Sequence, residues 1–406
     1  MRIRPFQGLR PVPELAARVA SVPYDVVNTE EAAKLAEGNP HSMLRIIRPE
    51  IELPAGTDVH SDPVYARGVA NLKKFQDNGT FLRESAPCLY LYRQIRQGRA
   101  QHGLAALCHV EDYDNDIIKK HEKTRPDKED DRTRTTAELN ANPEPVFLTY
   151  NDVPDLTAAA DKIRKTAPLY DFTADDGVQH TLWRIADTTP WVEGFARVPV
   201  SYVADGHHRS ASAARVGRER RLANPRHTGN ENYNWFLCVL FPGSELTVLP
   251  YNRVVLDLNG LDAAALLDRA RAIFRVTENA APEPASPRHV SMVLGGKWYG
   301  LSWDEDPQAD PVSRLDVSVL QDRLLKPVLG IDDPRTSQRI EFVGGIRGTA
   351  ALQKAVDSGK AAVAFSMHPV TVGQLMAIAD AGQIMPPKST WFEPKLRSGL
   401  FIHTLD

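Results

Sequence analysis

Hydrophobic and polar positions alternate along this chain in short blocks that read as a succession of different helices and strands. Residues 198–203 are rich in β-branched and aromatic side chains and predict a strand. That strand runs through Asp205-Gly206 directly into the small-residue stretch 210–214, which predicts a helix closed by Gly217. Upstream, Val64, Val69, Leu72 and Phe75 recur near helical spacing, and Asn28 or Thr29 caps a helix with Glu30 and Glu31 in its first turn. Segments 43–48, 89–94 and 103–110 predict strands, the last two joined by a turn around Gly98. Residues 127–140 predict a charged helix, 145–150, 169–173 and 180–186 predict strands, and 154–166 a helix. Residues 218–234 read as a basic loop, followed by strands at 235–241 and 246–249. Beyond them, 261–274, 317–329, 349–358 and 370–381 predict helices, and 340–343 and 361–366 strands. Segments 290–294 and 298–303 predict a hairpin around Gly295-Gly296.

These blocks gather into an N-terminal α/β unit at 1–103, a central unit at 104–260 and a C-terminal α/β domain at 261–406. Short helices and strands mixed in this way indicate an α+β fold. A length of 406 residues fits two or three domains, and an apolar fraction of 42% supports a sizeable core.

The formal net charge of −3 argues against bulk nucleic-acid binding, which needs a basic surface. No apolar run reaches the roughly 18 residues that a membrane span requires. Met1-Arg2-Ile3-Arg4-Pro5 lacks the apolar stretch of a signal peptide. Cys88, Cys108 and Cys238 are isolated, without metal-ligand spacing, and fit buried thiols in a reducing cytoplasm.

Three segments carry candidate chemistry. The first is Asp205-Gly206-His207-His208-Arg209-Ser210. A strand ending in a glycine turn that opens a helix aims backbone N–H groups and the positive end of the helix dipole at one spot. Two histidines and an arginine share that spot, so an anion, phosphate above all, suits it. The second is His121-Glu122-Lys123-Thr124. Arg125 stands where a zinc-protease motif would place its second histidine, so that reading fails. Glu122, among Lys120, Lys123 and Arg125, could serve as a general base or magnesium ligand, but charges alone favour a solvated cluster opening a polar helix. The third is Lys388-Ser389-Thr390, a cation and two hydroxyls pinned by prolines. It could hold a carboxylate or phosphate, or be a rigid terminal turn anchored by Trp391 and Phe392.

Together and in this order, the three segments resemble the motifs of the free L-serine kinases, which have the ParB/sulfiredoxin-like fold and phosphorylate the free amino acid to O-phosphoserine. Over nearly its full length the chain also resembles a widespread prokaryotic domain of unknown function. That likeness is carried by Val22-Pro23-Tyr24-Asp25-Val26, Asn39-Pro40, His121 to Thr124, Asp131-Arg132, the Asp-Gly-His-His-Arg run and 385–399.

The resemblance implies a ParB/sulfiredoxin-like nucleotide-binding core with added N- and C-terminal units. It implies Glu122 as catalytic base, with Asp205 and His208 as further catalytic groups and Asp205 positioning Mg2+. Gly206, His207, His208, Arg209 and Ser210 would cradle the phosphates of ATP, or of ADP. His121, Thr124, Lys388, Ser389 and Thr390 would contact free L-serine or an analogue. It implies a cytoplasmic small-molecule kinase, with no nucleic acid or membrane partner, and allows a homodimer. The competing expectation is a nucleotide-dependent ParB-like DNA-partition or regulatory protein, since that fold also hosts CTP-binding clamps. Such a protein would need a basic DNA-binding element, which the chain does not display.

Overall fold

The structure is a computed structural model that describes residues 1–406. Its contacts divide the chain into two compact units: Met1–Leu246 with Pro394–Asp406, and Thr247–Glu393. Residue 103 falls inside a long strand, so no break in packing occurs there.

The first unit is built on a nine-stranded sheet. Its strands are β1 (Ile3–Arg4), β2 (Leu89–Arg96), β3 (Arg99–His109), β4 (Ile118–Lys119), β5 (Val146–Tyr150), β6 (Tyr170–Thr173), β7 (Gln179–Ile185), β8 (Ser201–Asp205) and β9 (Trp235–Pro242). The spatial order is β4-β8-β5-β9-β3-β2-β7-β6, with β1 beside β3. Pairing is antiparallel except for β4 with β8 and β5 with β9. Strands β3 and β9 are buried almost throughout, which explains their continuous apolar runs. Gln97 (φ 50°) and Gly98 (φ 76°) are left-handed, so a tight two-residue turn joins β2 to β3.

The helices of this unit include α1 (Thr29–Ala36), α2 (Leu44–Ile47), α3 (Asp62–Asp77) and α4 (Pro126–Leu139). Asn28 and Glu31 form a reciprocal capping box at α1. Asn140, in a left-handed conformation, ends α4. The strand expected at 43–48 is instead helix α2, with Leu44, Ile46 and Ile47 buried against Leu72, Phe75 and Leu139. A short apolar run carries no periodicity that separates the two states, and packing decides.

The helix after β8, α5 (His207–Ala223), runs straight through Gly217. Gly217 is therefore not a helix end, and residues 218–223 are helical rather than a loop. A Cβ at Gly217 would come within 2.7 Å of the Tyr233 carbonyl, so close packing explains the glycine. The chain's final segment returns to this unit, where His403 and Thr404 pair with Asn142 and Ala141, and Phe401 stacks on Tyr90. Cys88, Cys108 and Cys238 are free and buried.

The second unit is a six-stranded sheet of β10 (Tyr251–Val255), β11 (Arg275–Glu278), β12 (His289–Leu294), β13 (Lys297–Ser302), β14 (Ile340–Gly344) and β15 (Val363–Met367). Its order is β11-β13-β12-β15-β10-β14, antiparallel throughout. The helix expected at 317–329 is α-helical only over Asp316–Leu320 and continues as a π-helical turn over Gln321–Leu325. No helix of the protein is long and apolar enough to cross a membrane.

Candidate functional site

Strands β4 and β8 are parallel neighbours, so their C-terminal ends lie side by side. That is where open sheets place ligands. The chain leaves β4 through His121-Glu122 and leaves β8 through Asp205-Gly206. Strand β8 carries a register shift between Val203 and Asp205, a bulge of the kind that re-aims a side chain.

Gly206 has φ 99° and ψ 34°, a left-handed conformation that lets the chain turn from strand to helix. A Cβ there would lie 3.1 Å from the Arg209 guanidinium carbon. The first hydrogen bond of α5 runs from Ser210 N to the Gly206 carbonyl, so the N–H groups of His207, His208 and Arg209 precede the helical ladder.

The Asp205 carboxylate is held from two sides. Arg209 Nη2 donates to one oxygen at 3.0 Å and Lys395 Nζ to the other at 3.2 Å. Burial pushes this carboxyl up, but the Lys395 and Arg209 charges outweigh burial and hold it well below the ordinary carboxylate range. Arg209 Nη1 also donates to the Pro145 carbonyl, while its Nε is buried without a partner. The Lys395 backbone is fixed because its carbonyl accepts from Gln94 Nε2 of β2 at 2.8 Å.

Glu122 is a little over a third exposed, with Oε2 3.8 Å from His207 Nδ1 and Oε1 4.0 Å from His121 Nε2. The two imidazoles meet edge to face with centroids 4.5 Å apart. Burial pushes His207 down to about 3, and burial with the neighbouring His207 pushes His121 down to about 3. Both rings are neutral at pH 7. His207 Nε2 has no hydrogen-bond partner. Nor do the His121 ring nitrogens, although the Val203 backbone is close enough to favour its protonated form slightly. His208 Nε2 accepts from the Arg125 backbone at 3.1 Å and so ties the start of α5 to the segment carrying Glu122.

Within the first unit the structure thus brings together Glu122 and Asp205 through Ser210. His121 is fully buried beneath His207. The Thr124 hydroxyl donates to Glu129 at 2.7 Å, and the Ser210 hydroxyl to the Gly206 carbonyl at 3.1 Å, so both are engaged internally. The 388–390 turn belongs to the second unit. There Lys388 adopts φ 54°, its Nζ lies 5.4 Å from the Tyr251 ring centre, and the Ser389 hydroxyl donates to the Pro386 carbonyl.

Residue types alone assign no role to Lys395, Gln94 or Asp25, although Lys395 and Asp25 stand in segments that carry the family likeness. Lys395 stood in the proline-flanked C-terminal run but carried no local signal of its partner. Asp25 is among the charges that act on His208 and Arg209, which gives the Val-Pro-Tyr-Asp stretch a place beside the site.

No three His, Cys, Asp or Glu side chains come together as a metal-binding group, and both Asp205 oxygens face cations. This donor set does not fit a metal held by the protein alone.

No curated protein matches the sequence. Among solved structures, a free serine kinase in complex with AMP is similar at 13% identity, covering 73% of this chain and 91% of that one, with a TM-score of 0.38. SbnI with a C-terminal truncation, from Staphylococcus aureus, is similar at 12% identity over 74% of this chain and 87% of that one, with a TM-score of 0.39. A conserved hypothetical protein from Pyrococcus furiosus is similar at 13% identity over 73% of this chain and 94% of that one, with a TM-score of 0.36. Likeness at this level leaves function to be read from the site's own residues. A family model described as a protein of unknown function (DUF1015) matches residues 3–318, most of the chain, and the protein belongs to that family.

Proposed function

We propose that this protein is a nucleotide-dependent phosphotransferase acting on the hydroxyl of a small hydroxy amino acid, with free L-serine the leading acceptor. One observation carries the reading: the Glu122 carboxylate stands 3.8 Å from His207, at the start of a helix whose first turn suits phosphate. A base and an anion cradle side by side are what phosphoryl transfer asks of a protein. In this reading the central region that carries the strand–glycine–helix corner is a ParB/sulfiredoxin-like core.

The donor phosphates would take the backbone N–H groups of His207, His208 and Arg209, aided by the helix dipole. The neutral His207 offers a hydrogen bond without adding charge. Asp205 keeps the Arg209 guanidinium and Lys395 ammonium in place, and this pair of cations neutralises developing oxygen charge. Glu122 takes the acceptor hydroxyl proton as the hydroxyl oxygen bonds to the terminal phosphorus. The bond from that phosphorus to the nucleotide breaks, and the nucleotide leaves one phosphate shorter. ATP is the leading donor and ADP the other. Magnesium would arrive on the nucleotide as part of that substrate. Contact of the acceptor with Lys388, Ser389 and Thr390 rests on the sequence resemblance.

The test is an assay of ATP, ADP and CTP, each with Mg2+, against L-serine and related hydroxy amino acids, read as phosphorylated product. Transfer to at least one acceptor is expected. Absence of any transfer, together with nucleotide-stimulated DNA binding, would replace the kinase reading with a partition-type clamp.

A further inference from the structure

The first unit also contains a cavity of about 570 Å³, open mouth included. Helices α2, α3 and α4 form its walls, with Tyr24 beside them. Ile46, Ile47, Val64 and Leu139 make a buried apolar lining, and Val59 and Lys128 stand among its more accessible residues.

The charges in the wall do not balance once their pairings are drawn. Each lining carboxylate already has its cation. Glu50 pairs with Arg48 at 2.9 Å, and Glu138 with Arg134 at 3.6 Å. Asp131 accepts from Tyr65 at 2.7 Å and from Arg132 Nη2 at 2.7 Å, with His60 Nδ1 3.1 Å away. One cation is left over, and another, Asp131's own partner, is only partly satisfied. Lys128 makes no salt bridge. Arg132 stacks its guanidinium 4.0 Å from the Tyr24 ring centre, and its Nη1 is buried with no hydrogen-bond partner. The nearest carboxylate to Nη1, Glu144 Oε2, is 3.9 Å away, beyond hydrogen-bond reach. A spare buried N–H on a guanidinium is costly unless something accepts from it.

We propose that this cavity is a second small-molecule site, which binds an organic carboxylate: the head group on Arg132 and Lys128, the apolar body against Ile46, Ile47, Val64 and Leu139. One unpartnered guanidinium nitrogen with one ammonium matches a monoanionic head better than a phosphate, which would call for a wider set of donors. The site does not depend on the phosphotransfer reading. Its wall residue Arg132 also lines a neighbouring cavity that reaches Arg209.

The test is calorimetric titration of the full chain with hexanoate, hexanamide and hexyl phosphate, for the native protein and for Val59→Trp and Lys128→Gln. Val59 is 37% exposed and Lys128 partly exposed, so neither change disturbs the core, and melting curves confirm folding. Saturable hexanoate binding is expected, with hexanamide at least about tenfold weaker and both variants weakened by about tenfold or more. Nucleotide affinity should be unchanged in both variants. Absent hexanoate binding, equal binding of hexanamide, native-like binding in both variants or tighter binding of hexyl phosphate would each overturn the proposal.

Discussion

The Lys395 ammonium lies 3.2 Å from the Asp205 carboxylate, although 190 positions separate them in the chain. Arg209 holds the other oxygen at 3.0 Å, so one carboxylate sits between two cations and the cluster is net positive at the start of α5. Replacing Lys395 by Met leaves Arg209 as the only cation on a largely buried acid. We expect a loss of about 1–3 kcal/mol in stability and of about tenfold in nucleotide affinity. Denaturant midpoints and a nucleotide titration read both, and native values for each would show that the pair contributes nothing.

Glu122→Gln keeps the size and most of the polarity of the side chain but removes the base. Turnover should fall by about 100-fold or more while the nucleotide dissociation constant stays within about twofold, as expected for the loss of a general base. Single-turnover kinetics beside equilibrium binding separate the two. Near-native turnover would take Glu122 out of the role.

Gly206→Ala tests the turn itself. The backbone stands at φ 99°, and the new Cβ would press on the Arg209 guanidinium at 3.1 Å. A cost of roughly 1–3 kcal/mol is expected from the backbone strain alone. Phosphate affinity should fall as well, because Arg209 must move. A variant with the native melting temperature would mean that the corner relaxes without strain.

Acid should destabilise the first unit early. Burial pushes His121, His180 and His207 down to about 3 and His403 down to about 4. Folded values below the ordinary 6.5 mean that the unfolded chain takes up protons first. The stability of these rings is therefore complete above pH 6.5 and is lost as the pH falls from there toward 3. A loss of at least about 2 kcal/mol by pH 5 is expected in denaturant melts. A flat profile down to pH 5 would show that the rings are protonated in the fold.

In the second unit one carboxylate behaves in the opposite sense. Burial raises Asp316 to about 6, against the weaker pull of the Arg288 N–H that it accepts at 3.0 Å. The ionised form is disfavoured in the fold, so its cost is full above pH 6 and vanishes below about pH 4. Asp316→Asn keeps the acceptor and should stabilise this unit by up to about 3 kcal/mol at pH 7.5, with no gain at pH 3.5. Equal melting temperatures for the two proteins at pH 7.5 would contradict this.

The strand–glycine–helix corner at 198–214 was legible because each part has a local cause: β-branched residues, a glycine able to turn left-handed, then small helix formers. The length of the helix was not legible. Gly217 looks like an end along the chain, yet it is there to let Tyr233 approach. The segment 43–48 failed for a related reason, since four to six apolar residues satisfy either a strand or a helix until neighbours cover one face.

Which residues could do chemistry is written in the chain, because the types and spacing of Glu122, Asp205, His207, His208 and Arg209 set what they can bind and titrate. Which of them meet depends on how the strands pair in the folded chain. The parallel pairing of β4 with β8 carries Glu122 to within 3.8 Å of His207, and the returning C-terminal segment delivers Lys395 to Asp205. Those contacts follow from long-range strand pairing and burial, which depend on the whole core and leave no mark at the positions themselves. The same holds for Arg132, whose Nη1 is left buried without a hydrogen-bond partner only once the helices have packed.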